Sequence, residues 1–170
     1  NWNAIDFYSA VSTGGGNMLL WVGDGYSTGL RAYFANTSSI STGTGSFTLR
    51  SDSVSPQSGF TLPVTTSGTF TWEPNTASFA SAVTPFSGLF SFTGSTVGPV
   101  VIGKAGNTAA VTVSATPTIA GPLTVYASDI TVSGNITTSL ANAAVILKAA
   151  GSITQNASTT IQTNGGDVVL

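Results

Sequence analysis

Between residues 101 and 170 the chain repeats itself. Three blocks follow one another: "VIGKAGNTAAVTVSATPTIAGP" from Val101, "LTVYASDITVSGNITTSLANAA" from Leu123 and "VILKAAGSITQNASTTIQTNGGD" from Val145. A fourth opens at Val168 with "VVL". Each block begins on an apolar strand, then carries a second (Val111, Ile130, Ile153) and a third (Ile119, Ile136, Ile161). The period is about 22 residues, within the range of solenoid repeats. A unit of this size cannot bury its own apolar face, but stacked on its neighbours it can. The arrangement that follows is a three-sided coil, with equivalent strands lying parallel about 4.8 Å apart. Val, Ile and Leu then fill interior columns, while Gly, Asn and Ser turn the corners. Leu123 is expected beneath Val145, and Ile130 near Ile153.

Nothing in the pattern favours helix. Thr, Val, Ile, Phe and Ser dominate, Gly and Pro recur, and no window sustains an i, i+3, i+4, i+7 stripe with caps. "LANAAVILKAAG" (140–151) is ambiguous, because Ala and Leu favour helix. The β-branched Val145 and Ile146 make it a turn over 140–143 and then a strand. Short strands between turn signals also suit an immunoglobulin-like sandwich. A sandwich has no reason to repeat at this period, and the chain has no Cys pair to flank a buried Trp. The expected fold is therefore all-β, a right-handed parallel β-helix. It is one β-solenoid segment over 1–170 with coils of about 22 residues, β-sandwich being the alternative.

Residues 100–170 are read as regular coils, and 1–99 as irregular, aromatic-rich coils with longer loops. In that first part "SFTLRSDSVS" (46–55) and "TFTWEPNTAS" (69–78) share a pattern, with Phe47 and Phe70 at equivalent places one period apart. "LFSFTG" (89–94) is read as opening a further coil, and "TPFSG" (84–88) as a loop leaving it. "VSTGGGNMLL" (11–20) aligns with "IQTNGGDVVL" (161–170) at a constant offset of 150, which points to a longer super-repeat. With Asn1 in place of an initiator Met and a last strand that stops at "DVVL", the chain is expected to be a segment of a longer repetitive protein.

Charge narrows the function. Only 6% of residues are charged, against roughly 25% in a typical soluble domain. The acids (Asp6, Asp24, Asp52, Glu73, Asp129, Asp167) and bases (Arg31, Arg50, Lys104, Lys148) stand singly. No basic stripe is available to neutralise phosphates, so neither nucleic acid nor an anionic membrane surface is an expected partner. No apolar run reaches the ~18 residues of a membrane helix. The absence of Cys and His removes disulfides, the usual zinc constellations, and Ser-His-Asp or Cys-His catalysis.

What remains is weak as chemistry. A β-helix polysaccharide enzyme needs clustered carboxylates, as an acid/base pair or as Ca²⁺ ligands. Asp6 and Asp24 are free to approach each other, but no spacing requires it. "VGDGYSTG" (22–29) lacks the Lys of a P-loop and the repeated Asp of a Ca²⁺ loop, so it reads as a turn around Asp24. Ice binding needs an outward Thr row on successive coils. Thr112, Thr124 or Thr131, and Thr154 partly qualify, whereas Ile146 and Gln155 interrupt. Asn36, Asn135 and Asn156 head glycosylation sequons. Trp2, Phe7, Tyr8, Trp21, Tyr26, Tyr33 and Phe34 form either a sugar-stacking patch or, the preferred reading, core and loop packing. No catalytic, cofactor-binding or metal-ligating residue is assigned.

The blocks "SFTLRSDSV", "TFTWEPNTAS", "VVIGKAGNTAAVTV", "GPLTVYASDITVSGNITT" and "VILKAAGSITQNASTTIQTNGGDVVL" come in an order that resembles the β-strand-repeat region of large secreted bacterial adhesins of the filamentous-haemagglutinin type. The matching blocks span 46–170. The resemblance implies a right-handed parallel β-helix in an extended stalk, secreted or on the outer surface of a Gram-negative bacterium. It also implies a role in attachment, biofilm cohesion or fibre formation. The expected partners are adjacent repeats of the same chain, further copies in a fibre, and a surface or glycan ligand. A β-helix carbohydrate-active enzyme and an ice- or glycan-binding module are the alternatives.

Overall fold

The structure, a computed structural model, describes residues 4–23, 31–92, 97–114 and 119–170. Asp24, Trp2, Tyr26 and most of the 22–29 turn lie outside them. Among the described residues there is no helix, and the strands come in threes. The first coil is β1 (Ala4–Phe7), β2 (Ala10–Ser12) and β3 (Met18–Trp21). The second is β4 (Arg31–Phe34), β5 (Ser39–Gly43) and β6 (Phe47–Arg50). The third is β7 (Ser53–Pro56), β8 (Leu62–Thr66) and β9 (Phe70–Glu73). In the fourth a bridge at Val83 stands for the first strand, before β10 (Phe90–Phe92) and β11 (Val100–Ile102). The fifth has β12 (Val111–Val113), a bridge at Ile119, and β13 (Leu123–Ala127). The sixth is β14 (Ile130–Val132), β15 (Ile136–Thr137) and β16 (Val145–Ala149), and the seventh β17 (Ile153–Gln155), β18 (Ile161–Gln162) and β19 (Val168–Val169).

Paired strands lie parallel, each beside its counterpart one coil away. The first side stacks β1, β4 and β7 and, past Val83, β12, β14 and β17. The second stacks β2, β5, β8 and β10, then β15 and β18. The third runs unbroken through β3, β6, β9, β11, β13, β16 and β19. This is a parallel β-solenoid; the antiparallel pairing of a sandwich is absent among the described residues. On the third side the register runs Met18–Phe47–Phe70–Val100–Leu123–Val145–Val168. The usual step is about 23 residues. Two steps are longer, from Met18 to Phe47 and from Phe70 to Val100.

Leu123 pairs with Val145, Ile130 with Ile153, and Phe47 with Phe70, as the repeat predicts. Four details differ. The block beginning at Val101 is one residue late, since Val100 pairs with Leu123 and is buried while Val101 faces outward beside Thr124. In a strand of period two a one-residue slip inverts every side chain, and "VVI" has apolar residues on both faces. Ile119 bridges Thr138 rather than Ile136. The "LFSFTG" strand pairs with β8 on the second side, so it continues a coil rather than opening one. "TPFSG" does not leave the coil: Pro85 and Phe86 are buried, and the Phe86 ring lies 6.2 Å from Phe92.

The interior changes character along the axis. Coils two to four hold an aromatic cluster in which Phe70 meets Phe47 at 5.7 Å, Phe90 at 5.0 Å and Phe92 at 5.1 Å, while Trp72 meets Phe79 at 4.6 Å. From Ile102 onward the core is aliphatic. The longer coils supply the bulky filling, because Phe79, Phe86 and Phe90 all lie in the long step between Phe70 and Val100.

One corner explains why glycine recurs. Gly45, Gly68 and Gly98 stand two residues ahead of a third-side strand, each over the glycine of the coil before. A Cβ on Gly45 would sit 2.2 Å from the Gly16 carbonyl oxygen, one on Gly68 2.5 Å from that of Gly45, and one on Gly98 2.6 Å from that of Gly68. Gly121 continues the column over Gly98, and Gly166 lies over Ala143. The coils approach so closely at this corner that a side chain has no space. Threonine hydroxyls lock the same turn: Thr42 and Thr66 both donate to the Gly45 carbonyl (2.7 and 2.6 Å), and Thr163 to that of Gly166 at 2.6 Å.

Candidate functional site

The acids are dispersed, and two of them bind backbone N–H groups of the next coil. Buried Asp52 accepts the Thr76 N–H at 2.8 Å, and exposed Asp129 accepts the Ser152 N–H and hydroxyl, each at 2.8 Å. Asn17 does the same for the Ser46 N–H and Asn135 for the Thr160 N–H. In each case a corner side-chain oxygen takes an N–H from the next coil that the sheets leave unpaired. The Ser152 N–H, then its hydroxyl, holds the Asp129 carboxyl below its ordinary pKa. Glu73 is paired with Arg50 at 2.6 Å, Asp6 lies in β1 and Asp167 precedes β19. Asp52 and Asp129 share one corner of the triangle but stand three coils apart, about 14 Å by ladder spacing. Among the described residues no three His, Cys, Asp or Glu side chains gather where a metal could be held.

The aromatic residues divide. Phe34 is buried and stacks on Phe7 at 5.2 Å, which puts this pair in the core. Exposed Tyr8 lies 6.3 Å from Tyr33, with the Arg31 guanidinium 5.8 Å over the Tyr33 ring. Trp21 is exposed on another side, where Arg50 covers it at 5.3 Å and its Nε1 donates to Asn75. The described members of the seven therefore form no single patch. Thr112, Thr131 and Thr154 do form a row on the first side, next to Gln155. On the third side the outward row Leu19–Thr48–Thr71–Val101–Thr124–Ile146–Val169 mixes Thr with apolar residues. Asn36, Asn135 and Asn156 are exposed, and all three lie on the corner between the first and second sides.

The most constructed surface lies at "GKAGNTA" (103–109), a corner absent from the sequence candidates. Gly103 and Gly106 take positive φ, +77° and +86°, and swing the chain around buried Asn107. Its Oδ1 accepts the Ser78 hydroxyl and the N–H groups of Phe79 and Ala109, and its Nδ2 donates to the Tyr126 carbonyl at 2.8 Å. This one amide joins three stretches of chain and fixes the loop. Outside it runs an open trough of about 470 Å³, flanked by Lys104, Thr108, Tyr126, Ser128 and Lys148 and lined by small alanines. Lys104 Nζ donates to the Pro74 carbonyl at 2.9 Å, and Lys148 Nζ stands 5.2 Å from the Tyr126 ring centroid. A polar residue after a glycine, as in "AGN", is the sequence signal that marks the loop.

Comparison with protein-family models, with curated proteins and with solved structures finds no match to this chain.

Proposed function

We propose that the chain is a stalk segment of a large extracellular bacterial adhesin, a rigid spacer that serves surface attachment, biofilm cohesion or fibre formation. The observation that carries this reading is the third side. Its ladder continues through all seven coils with strands in parallel register. A stack in which each coil repeats the register of its neighbour extends along one axis, coil by coil. Polar side chains that clip each coil to the next stiffen it. Its partners in this reading are further coils of the same protein and, in a fibre, other copies; its place is the secreted or outer-surface compartment of a Gram-negative bacterium.

Immunogold labelling of unpermeabilised source cells with an antibody to residues 100–170 tests it. The expected label follows filaments standing off the cell, and cells lacking the protein attach less to surfaces. Label that appears only after permeabilisation would overturn the reading.

A further inference from the structure

We infer that the trough beside Lys104, Tyr126 and Lys148 binds a linear acidic polysaccharide through the carboxylates of its uronate residues. The first observation is electrostatic. The chain has a net charge of −2, yet Arg50, Lys104 and Lys148, three of its four cations, lie on or beside the third side. Arg50 is neutralised by Glu73. Among the described residues Lys104 and Lys148 have no carboxylate within 4.0 Å; Lys104 meets a carbonyl, and Lys148 a ring face. Asp129, the acid nearest in sequence to the Tyr126 ring, keeps its charge while bonded to Ser152 and Ser128, so the two ammonium groups outnumber it two to one. In a chain this poor in charge, two unneutralised ammonium groups beside one trough form a local site for an anion.

The second observation is geometric. The Tyr126 carbonyl lies against Gly103, and Tyr126 pairs in register with Lys148, so the two lysines belong to coils two rungs apart. That puts them about 10 Å apart along the axis, close to the length of a disaccharide. Carboxylates on alternate residues of an extended polysaccharide recur at that interval. Between the lysines stand the Tyr126 ring, suited to the C–H face of a sugar, and the hydroxyl of Thr108. Ala127 and Ala149 pair in register here and keep the floor low. The trough is too open to enclose a small anion, which needs a concave site, and two cations are too few for a nucleic acid backbone. A long polyanion laid along the coil axis fits both facts.

Affinity electrophoresis of the folded chain through gels containing polygalacturonate, or its methyl ester, tests the site. The two polymers share a backbone and differ in charge. The expected result is retardation in the polygalacturonate gel, lost in the ester gel. K148Q and Y126A should each weaken it about tenfold, the loss of one charge-assisted or stacking contact, while R31Q, on another side, leaves it unchanged. Lys148 is exposed, so K148Q leaves the fold intact, which circular dichroism verifies. Absence of retardation, equal retardation in the ester, or an equal loss with R31Q would overturn the assignment. Any of these alongside surface filaments in the immunogold experiment would leave the stalk reading standing, because the site adds a ligand to the stalk and does not depend on it.

Discussion

At the scale of single residues, close approach and backbone satisfaction do most of the work. Gly68 has ordinary backbone angles, so it is there for space rather than for torsional freedom. Gly68→Ala places a methyl 2.5 Å from the Gly45 carbonyl oxygen, and the shift it forces should cost about 1–3 kcal/mol. Gly16, in the first coil, has nothing nearer than 3.7 Å along the same direction, so Gly16→Ala should be close to neutral. Urea denaturation of the two variants checks the contrast, and equal losses would contradict the column. Asp129 gives a pH signature. Its folded pKa lies below the unfolded one, so its contribution is complete above the unfolded value of about 3.9 and is lost as pH falls through the folded value. The urea midpoints of Asp129→Asn and the parent chain should differ at about pH 6, and the gap should close as pH falls from the unfolded value of about 3.9 through the lower folded one; a gap that stayed constant over that fall would contradict the clip.

At the scale of strands and corners, the aliphatic coils were legible and the junctions were not. The columns Leu123–Val145 and Ile130–Ile153 follow from period alone, because most inward apolar residues there are flanked by outward polar or small ones. Val101 misled because both faces of "VVI" are apolar. The glycine column resolves that ambiguity: Gly98-Pro-Val100 and Gly121-Pro-Leu123 repeat Gly45-Ser-Phe47 and Gly68-Thr-Phe70, so the interior residue always stands two after the glycine. That spacing is readable without coordinates. The trough was not, since Lys104 and Lys148 meet only through two rungs of register and the corner set by Asn107. The aromatic loop was hidden for a related reason, because "TPFSG" has loop composition and returns to the core through Phe86. Phe70 lies at the centre of that cluster, touching Phe47, Phe90 and Phe92. Phe70→Ala should cost about 3–5 kcal/mol, whereas its outward neighbour Thr71→Ala should cost under about 0.5 kcal/mol. Thermal or urea unfolding separates them, and similar losses would contradict the inward register.

At the scale of the molecule, the solenoid is a quasi-one-dimensional object whose ends resemble each other. Residues 11–20 and 161–170, which align at an offset of 150, occupy the same place in coils one and seven: the second side, the glycine corner and the start of the third side. The seventh coil is therefore shaped to play the part of a first coil, and the structure that follows residue 20 is expected to stack equally well after residue 170. The stalk reading depends on this property, since a spacer gains length only if its coils propagate without a break. The most direct measurement is small-angle X-ray scattering on the chain 1–170 and on a longer chain in which 1–170 is followed at once by a second copy of 21–170. Six added coils should lengthen the rod by about 29 Å with no change in cross-section. A thicker particle, or two bodies joined by a flexible hinge, would contradict the account.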